Sequence, residues 1–193
     1  MDIKGDNMTV KEILTNVAYL LDDTKLITAI ESDTFSGNTL TDRNLLVKCV
    51  NYINNIIATE YFHVEDEVEV YNYTGVVGYK EISSKTIFDI VEVRSSFDNK
   101  INFKILPNGV ETKKGKLKIK YLYMPEEVGY DDKITCYPTK MNERIFAYGV
   151  ASEFLFIKGN FDEGDIWDTR FKNGLASLRH NHREMIMPNR RWS

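Results

Sequence analysis

Residues 149–171, GVASEFLFIKGNFDEGDIWDTRF, decide the fold because they contain two helical patterns separated by a two-residue corner. Gly159 is the residue type that closes a helix in the left-handed conformation. The acidic residues after Asn160 would complement the dipole of a new helix. The pattern therefore predicts an αα-hairpin. Apolar residues recur at helical spacing on both sides of the corner: Ala147, Val150, Ala151 and Phe154 before it, and Trp167, Phe171, Leu175 and Leu178 after it.

Large apolar side chains near the corner predict the core of this hairpin. We expect Phe154, Trp167 and Phe171 to pack together beside the Gly159 corner. Trp167 should be buried against Phe154 or its neighbours, because a Trp exposed in the middle of a helix would leave a large apolar area in water. Thr139 is a plausible N-cap for the first helix of the hairpin, and Pro188 ends the second.

Two helices are predicted near the N-terminus. Thr9 and Glu12 have the spacing of a capping box, and an apolar stripe follows. Asp22 and Asp23 oppose the dipole at the end of this helix, so we expect a short helix followed by a mobile connector, ESDTFSGNTLTD, at 31–42. The second helix should run from about Thr41 to about Tyr61.

The period of the apolar residues changes from helical to two between Val64 and Met124. This alternation, with turn residues between the runs, predicts an antiparallel meander of four or five strands. TIFDIVEV (86–93) is rich in β-branched residues and should form an inner strand. INFKIL (101–106) should form another strand. In KLKIKYLY (116–123) one face carries Leu117, Ile119 and Tyr121, and the other carries Lys116, Lys118 and Lys120.

The order of elements predicts an α+β fold. Residues 1–63 and 138–187 should form a helical bundle, with an antiparallel β lobe at 64–137 inserted between helix 2 and the C-terminal αα-hairpin. Because Pro188 cannot continue the helix, 188–193 should form an extended C-terminal arm.

Charge and composition narrow the function classes. The chain has 25 basic and 29 acidic residues, a net charge of -4, so it lacks the overall basic field typical of nucleic-acid-binding proteins. The lysine row of 116–120 is expected to be a solvated sheet face that also protects an edge strand, and the alternative is a weak, salt-sensitive contact with nucleic acid. Cys49 and Cys136 should be reduced, buried thiols.

MDIKGDNMTV lacks an apolar signal region, and no run approaches the roughly 20 apolar residues of a membrane span. We therefore expect a protein kept in a cytoplasm and not bound to a membrane.

The sequence contains few motifs that could form a catalytic or metal-binding site, and none of them has the required spacing. HNHR (180–183) places its histidines two residues apart late in a helix, which does not suit a metal-dependent nuclease. His63 is expected to be structural or exposed. The acidic residues between Asp162 and Asp168 lack the loop order of a calcium site. No phosphate-binding glycine loop or nucleophile motif occurs. We expect no catalytic residues, no metal and no cofactor, and hence a protein that is not an enzyme.

The whole arrangement resembles the head–tail connector (adaptor) proteins of tailed bacteriophages. The resemblance rests on LLVKCVNYINNIIATEYF (45–62), KLKIKYLYMPEEV (116–128), FAYGVASEFLFIKGNFDEGDIWDTRF (146–171) and the Arg-Arg-Trp close of the chain. It implies a homo-oligomeric ring, typically a dodecamer, beneath the portal protein. Such a ring continues the DNA channel and provides a platform for tail proteins. DNA would pass through only transiently, and the protein would lie at the head–tail interface of the virion after assembly in the host cytoplasm.

Two sets of residues would make the contacts of such a ring. Ile166 and Arg170 fall outside the apolar stripe of the last helix, and polar residues could form ion pairs across a subunit boundary; the candidates are Glu143, Glu153, Ile166, Arg170 and Arg179. The C-terminal arm is the second set. Trp192 would fill an apolar pocket on the portal or on an adjacent subunit, flanked by Asn189, Arg190 and Arg191. The resemblance also implies that this arm grips the portal, and the alternative is a frayed end whose Trp folds back on the bundle.

Two other classes remain open from the sequence. The chain could be another tail-structural protein, a tail-completion or tail-tube subunit, which would oligomerise through its β lobe. It could also be a small host-modulating binding module, which would be a stable monomer without affinity for a portal protein.

Overall fold

The fold is α+β, as the sequence predicts. The computed structural model describes residues 8–134 and 141–180. The chain divides into two compact units, one made of Met1–Ile53 with Val128–Ser193 and the other of Asn54–Glu127. The second unit holds all the strands named below and is an insertion in the first. Its boundaries are 54 and 127, whereas the sequence pattern places the β lobe at 64–137.

The N-terminal helix α1 spans Val10–Leu20 and begins with the predicted capping box. The Thr9 hydroxyl accepts a hydrogen bond from the Glu12 N–H at 3.2 Å, and the Glu12 carboxylate accepts one from the Thr9 N–H at 2.8 Å. The apolar stripe of α1 is buried. The capping box joins residues only three positions apart, which is why the sequence predicts it.

The helix α2, Thr24–Glu31, was not predicted, and it fills the stretch between the first helix and the predicted connector. Asp23 is its N-cap, and the Asp23 carboxylate accepts hydrogen bonds from the N–H groups of Lys25 (3.1 Å) and Leu26 (3.0 Å). The prediction that Asp23 ends a helix unfavourably missed that the same carboxylate begins the next one. The helix α3 then spans Gly37–Ile56, so it begins four residues before the predicted start and takes in half of the connector. A π-helical turn, Ile57–Tyr61, follows it.

The middle unit contains two three-stranded antiparallel sheets with the orders β1-β6-β3 and β2-β5-β4. The unit also contains a one-turn helix, α4. The bounds are β1 Glu65–Asn72, β2 Val76–Gly78, α4 Tyr79–Ile82, β3 Ile87–Ser95, β4 Lys104–Leu106, β5 Gly109–Glu111 and β6 Gly115–Tyr123.

The predicted meander is therefore wrong in its strand order. The lysine-bearing strand β6 lies at the centre of its sheet, and the β-branched strand β3 lies at an edge, with register shifts at Ile87/Asp89 and Ile90/Glu92. A strand with lysines on one face can be central when neighbouring carboxylates pair with them, and β-bulges are a common feature of edge strands. Only Lys104–Leu106 of INFKIL is a strand, and Ile105 is exposed.

The C-terminal hairpin forms as predicted. Its first helix, α5, spans Glu143–Lys158 and is capped by Asn142, whose side-chain oxygen accepts from the Ile145 N–H at 2.9 Å. Gly159 has φ 84°, the left-handed conformation that ends the helix. The second helix, α6, spans Phe161–His180. The N-cap is therefore Asn142 and not the predicted Thr139, and Thr139 and the predicted terminator Pro188 lie outside the described residues.

Candidate assembly surface

Three glycines set the distance between α5 and α6. A Cβ atom built on Gly149 would lie 2.9 Å from the Phe171 ring, and one on Gly164 would lie 2.6 Å from the Phe156 ring. On Gly174 it would lie 3.2 Å from Ile145. These approaches let large side chains of one helix pack over bare backbone of the other, which makes the hairpin a rigid platform. Sequence reasoning missed these contacts, because a helical glycine does not reveal what packs over it.

The predicted core of the hairpin is buried at Phe154 and Phe171 but not at Trp167. Trp167 is half-buried, and its ring stacks on Tyr148 with centroids 5.4 Å apart and an angle of 23° between the planes. The expected burial against Phe154 is thus corrected. Gly164 lies against Phe156, and Trp167 is one helical turn after Gly164. Because the two helices of the hairpin run in opposite directions, Trp167 lies closer to the start of α5, beside Tyr148 and not Phe154. The Trp167 indole N–H is buried without a hydrogen-bond partner among the described residues.

Two arginines extend this aromatic pair at its ends. The guanidinium carbon of Arg170 lies 4.6 Å from the centre of the Trp167 ring, and that of Arg144 lies 5.8 Å from the centre of the Tyr148 ring. We call these four side chains, Arg144, Tyr148, Trp167 and Arg170, the arginine–aromatic stack. Each cation–π contact is worth about 0.5–1 kcal/mol at an exposed site. Neither arginine forms an ion pair with a carboxylate in the described part of the chain.

Apolar side chains are also exposed around the hairpin corner. Ile157 is 53% exposed, Phe161 64% and Ile166 54%. The Phe161 ring lies 6.3 Å from that of Phe156, which covers Gly164. Ile166 therefore lies outside the buried stripe of α6, as predicted from the sequence. Exposed apolar residues of this size on a rigid hairpin favour a contact with another protein.

The first turns of α6 are acidic. Asp162, Glu163 and Asp165 are exposed and have no ion pair within 8–134 and 141–180, whereas Asp168 pairs with Lys172 at 2.6 Å. In the described ranges, no group of three potential ligands could hold a metal ion. The carboxylates complement the dipole at the helix start.

Two of the other predicted ring-interface residues are placed within the first unit. The Glu143 carboxylate accepts a hydrogen bond from the Asn16 side chain of α1 at 3.2 Å, so it is held by its own chain. Glu153 is half-buried, and this burial raises its pKa. The structure therefore brings Arg170 together with Trp167 but does not gather all the predicted residues on one surface. The backbone of Arg179 belongs to α6, and its side chain lies outside the described residues.

A buried thiol lies on α3. Cys49 is buried, and its burial, followed by the nearby charge of Glu153, raises the thiol pKa to about 12. A thiol with this pKa is neutral at physiological pH and is a poor nucleophile. Cys136 lies outside the described residues.

The lysine row of β6 is neutralised within its own unit. All three lysines pair with carboxylates: Lys116 with Glu69 (2.7 Å), Lys118 with Asp98 (3.4 Å) and Lys120 with Glu65 (2.5 Å). His63, at the start of this unit, contacts the Ala58 carbonyl at 3.1 Å and is exposed. The face of β6 is therefore a lattice of opposite charges and not the basic patch that phosphate binding requires.

A cleft of about 550 Å³ lies along α2 and is lined mainly by serine and threonine residues. Four of its six serine and threonine hydroxyl groups donate to backbone carbonyls. Thr28 donates to the Thr24 carbonyl and Ser32 to the Thr28 carbonyl, each at 2.8 Å, and Thr39 donates to the Ser36 carbonyl at 2.9 Å. The cleft therefore offers few unused polar groups to a ligand.

The remaining predicted sites lie outside the described residues. These are the arm residues Asn189, Arg190, Arg191 and Trp192, and most of HNHR. Within the ranges that the structure describes, no helix is both long enough and apolar enough to span a bilayer. No protein-family model matches the chain, and no curated protein matches it.

Proposed function

We propose that this protein is a head–tail connector subunit of a tailed bacteriophage, which assembles as a homo-oligomeric ring beneath the portal protein. The ring would extend the DNA channel and provide the platform for tail attachment. The observation that carries the proposal is the surface of the α5–α6 hairpin, where the arginine–aromatic stack and the exposed Ile157, Phe161 and Ile166 lie on a rigid pair of helices.

The residue types of this surface suit a protein interface. Trp, Tyr and Arg are enriched among the residues that dominate binding energy, and exposed Ile and Phe supply apolar area around them. The glycine contacts at Gly149 and Gly164 hold both helices at a fixed distance, so a partner meets a preformed surface. A ring subunit needs two different surfaces of this kind, one for each neighbour.

The charge pattern of the middle unit is compatible with a channel that DNA leaves quickly. Because the lysines of β6 are paired with carboxylates, they would form few lasting contacts with phosphate groups. In this proposal the protein works by shape, ring closure and docking of tail proteins.

A tail-completion or tail-tube subunit is the second candidate, and one observation favours it. The strand β1 is an eight-residue edge strand in regular register with β6, and the neighbouring exposed rings of Tyr71 and Tyr73 lie 4.4 Å apart. A regular edge strand can pair with a strand of another chain. Such a protein would oligomerise through its β unit.

Electron microscopy of the purified protein mixed with the portal protein of the same virus tests the proposal. A connector forms a ring on one face of the portal and does not form extended tubes by itself. Tubes that form without portal would favour the second candidate. A protein that neither binds the portal nor changes its oligomeric state in its presence would contradict the proposed function.

A further inference from the structure

The arginine–aromatic stack carries two exposed guanidinium groups. Among the described residues, neither Arg144 nor Arg170 pairs with a carboxylate, and the guanidinium groups lie beside the rings of Tyr148 and Trp167. Aromatic stacking leaves the N–H edges of a guanidinium free, and those edges fit a carboxylate in a two-pronged hydrogen bond. The stack therefore fits an acidic partner.

The same chain carries carboxylates without cations at the start of α6. Asp162 and Asp165 are exposed, are three residues apart, and form no ion pair with any described residue. Neighbouring turns of a helix bring such residues side by side. The two carboxylates therefore form one acidic patch opposite in sign to the two arginines. Glu163, about 100° further round the helix from Asp162, lies outside this patch.

One copy cannot join these two patches to each other. Arg170 and Asp165 lie on the same helix, five residues apart, so about 100° per residue places them roughly 140° apart around the axis. Asp162 lies eight residues before Arg170 and is therefore separated from it by about 12 Å along the axis. Patches that point in different directions from one rigid helix can meet only between copies. This is the arrangement of a head-to-tail contact, in which each subunit offers one patch to each neighbour.

We propose that the arginine–aromatic stack of one copy binds Asp162 and Asp165 of the next copy. The inference rests on the proposed ring and names the surfaces that form it. Arg144 and Arg170 of one copy would pair with the two carboxylates of the next. Ile166, which lies between Asp165 and Arg170 in α6, would supply apolar contact.

Charge reversal followed by charge exchange tests the pairing. The double variants R144E/R170E and D162K/D165K should each weaken self-association, in solution and on the portal, by about tenfold or more, because like charges then face each other. A variant carrying all four changes should recover association to within about threefold of the parent, since the pair is restored with its signs exchanged. Sedimentation velocity measures self-association in solution, and electron microscopy with portal measures ring formation on the portal.

The matched control for R144E/R170E is K25E/K48E, which reverses two exposed cations of the same unit and makes the same change in net charge. Circular dichroism and thermal melting check that each variant is folded. The proposal is overturned if either double variant assembles like the parent or if the control variant loses as much self-association. It is also overturned if the quadruple variant associates as weakly as the double variants. A parent that remains monomeric with and without portal overturns it as well.

The two proposals fail in distinguishable ways. Rings that obey the charge exchange but never bind the portal would contradict the connector function and leave this contact intact. Rings that form on the portal regardless of the charges at these four positions would support the connector and contradict this contact.

Discussion

The side chain of Asn51 pairs with both backbone groups of Val128. Its oxygen accepts from the Val128 N–H at 2.8 Å, and its amide donates to the Val128 carbonyl at 2.9 Å. The amide also reaches the Val47 carbonyl at 3.1 Å on the preceding turn of α3. Asn51 thus attaches the segment that returns from the middle unit to the helix α3. The same segment is held at α1, where Val10 N–H donates to the Asp132 carbonyl at 3.0 Å.

Replacing Asn51 should destabilise the first unit measurably. N51L keeps a similar volume but leaves the Val128 N–H and carbonyl without their partner, which costs about 1–3 kcal/mol for a part-buried group. Urea unfolding measures this difference. N173A removes an exposed Asn side chain of α6 and should change the free energy of unfolding by about 0.5 kcal/mol or less. Equal effects of both changes would contradict the structural role of Asn51.

A methyl group at Gly149 should separate the hairpin helices. Because its Cβ would lie 2.9 Å from Phe171, G149A should cost about 1–3 kcal/mol in spite of the better helix propensity of Ala. In an F171L background the same change should cost less, since the contacting ring is gone. Chemical denaturation of the four proteins measures this coupling. An unchanged cost in both backgrounds would show that Phe171 is not the source of the clash.

The Cys49 thiol should be unreactive in the folded protein. Its pKa of about 12, against an ordinary value of 9.0, lowers the thiolate fraction near pH 8 by about 1,000-fold. A C136S variant leaves Cys49 as the reporter, and its rate of labelling by a thiol reagent is measured with and without denaturant. Labelling should be fast only in the denatured protein. Fast labelling in native buffer would show that α3 opens or that the thiol is accessible.

The middle unit should lose stability in acid through Glu92. Arg94 at 2.7 Å and Lys100 at 2.8 Å lower the pKa of this carboxyl from 4.5 to about 2. Because the folded pKa is the lower one, the stabilisation is present above pH 4.5 and is lost as the pH falls toward 2. E92Q should therefore be less stable than the parent at pH 7 and equal to it near pH 2. E67Q, which removes an exposed carboxylate of β1 that forms no ion pair with a described residue, is the control for the loss of one negative charge.

The proposed C-terminal arm should act in binding and not in folding. Deletion of residues 189–193 should leave the melting temperature unchanged and abolish attachment to the portal, and W192A alone should cost about 2–4 kcal/mol of binding. Surface plasmon resonance on immobilised portal measures this, with the deletion of Met1–Ile3 as a control truncation. Parental affinity after the deletion would refute the arm and would leave the charge-exchange test unaffected.

Features that depend on near neighbours were predictable from the sequence. The capping box of Thr9 and Glu12 and the left-handed Gly159 involve groups within one or two helical turns, and the alternation of β6 is a property of one strand. The α+β class and the hairpin followed from such patterns. Their physical basis is local hydrogen bonding and side-chain period, both of which can be read from consecutive residues.

Only the tertiary structure decided which distant residues meet. Asn51 and Val128 are 77 positions apart, and the sequence alone gives no sign that they pair. The central place of β6 depends on carboxylates of other segments that neutralise its lysines, and the stacking of Trp167 on Tyr148 depends on how closely Gly149 and Gly164 let two helices approach. These contacts are set by packing between elements, where the distance of approach and the neutralisation of charge depend on every neighbour at once.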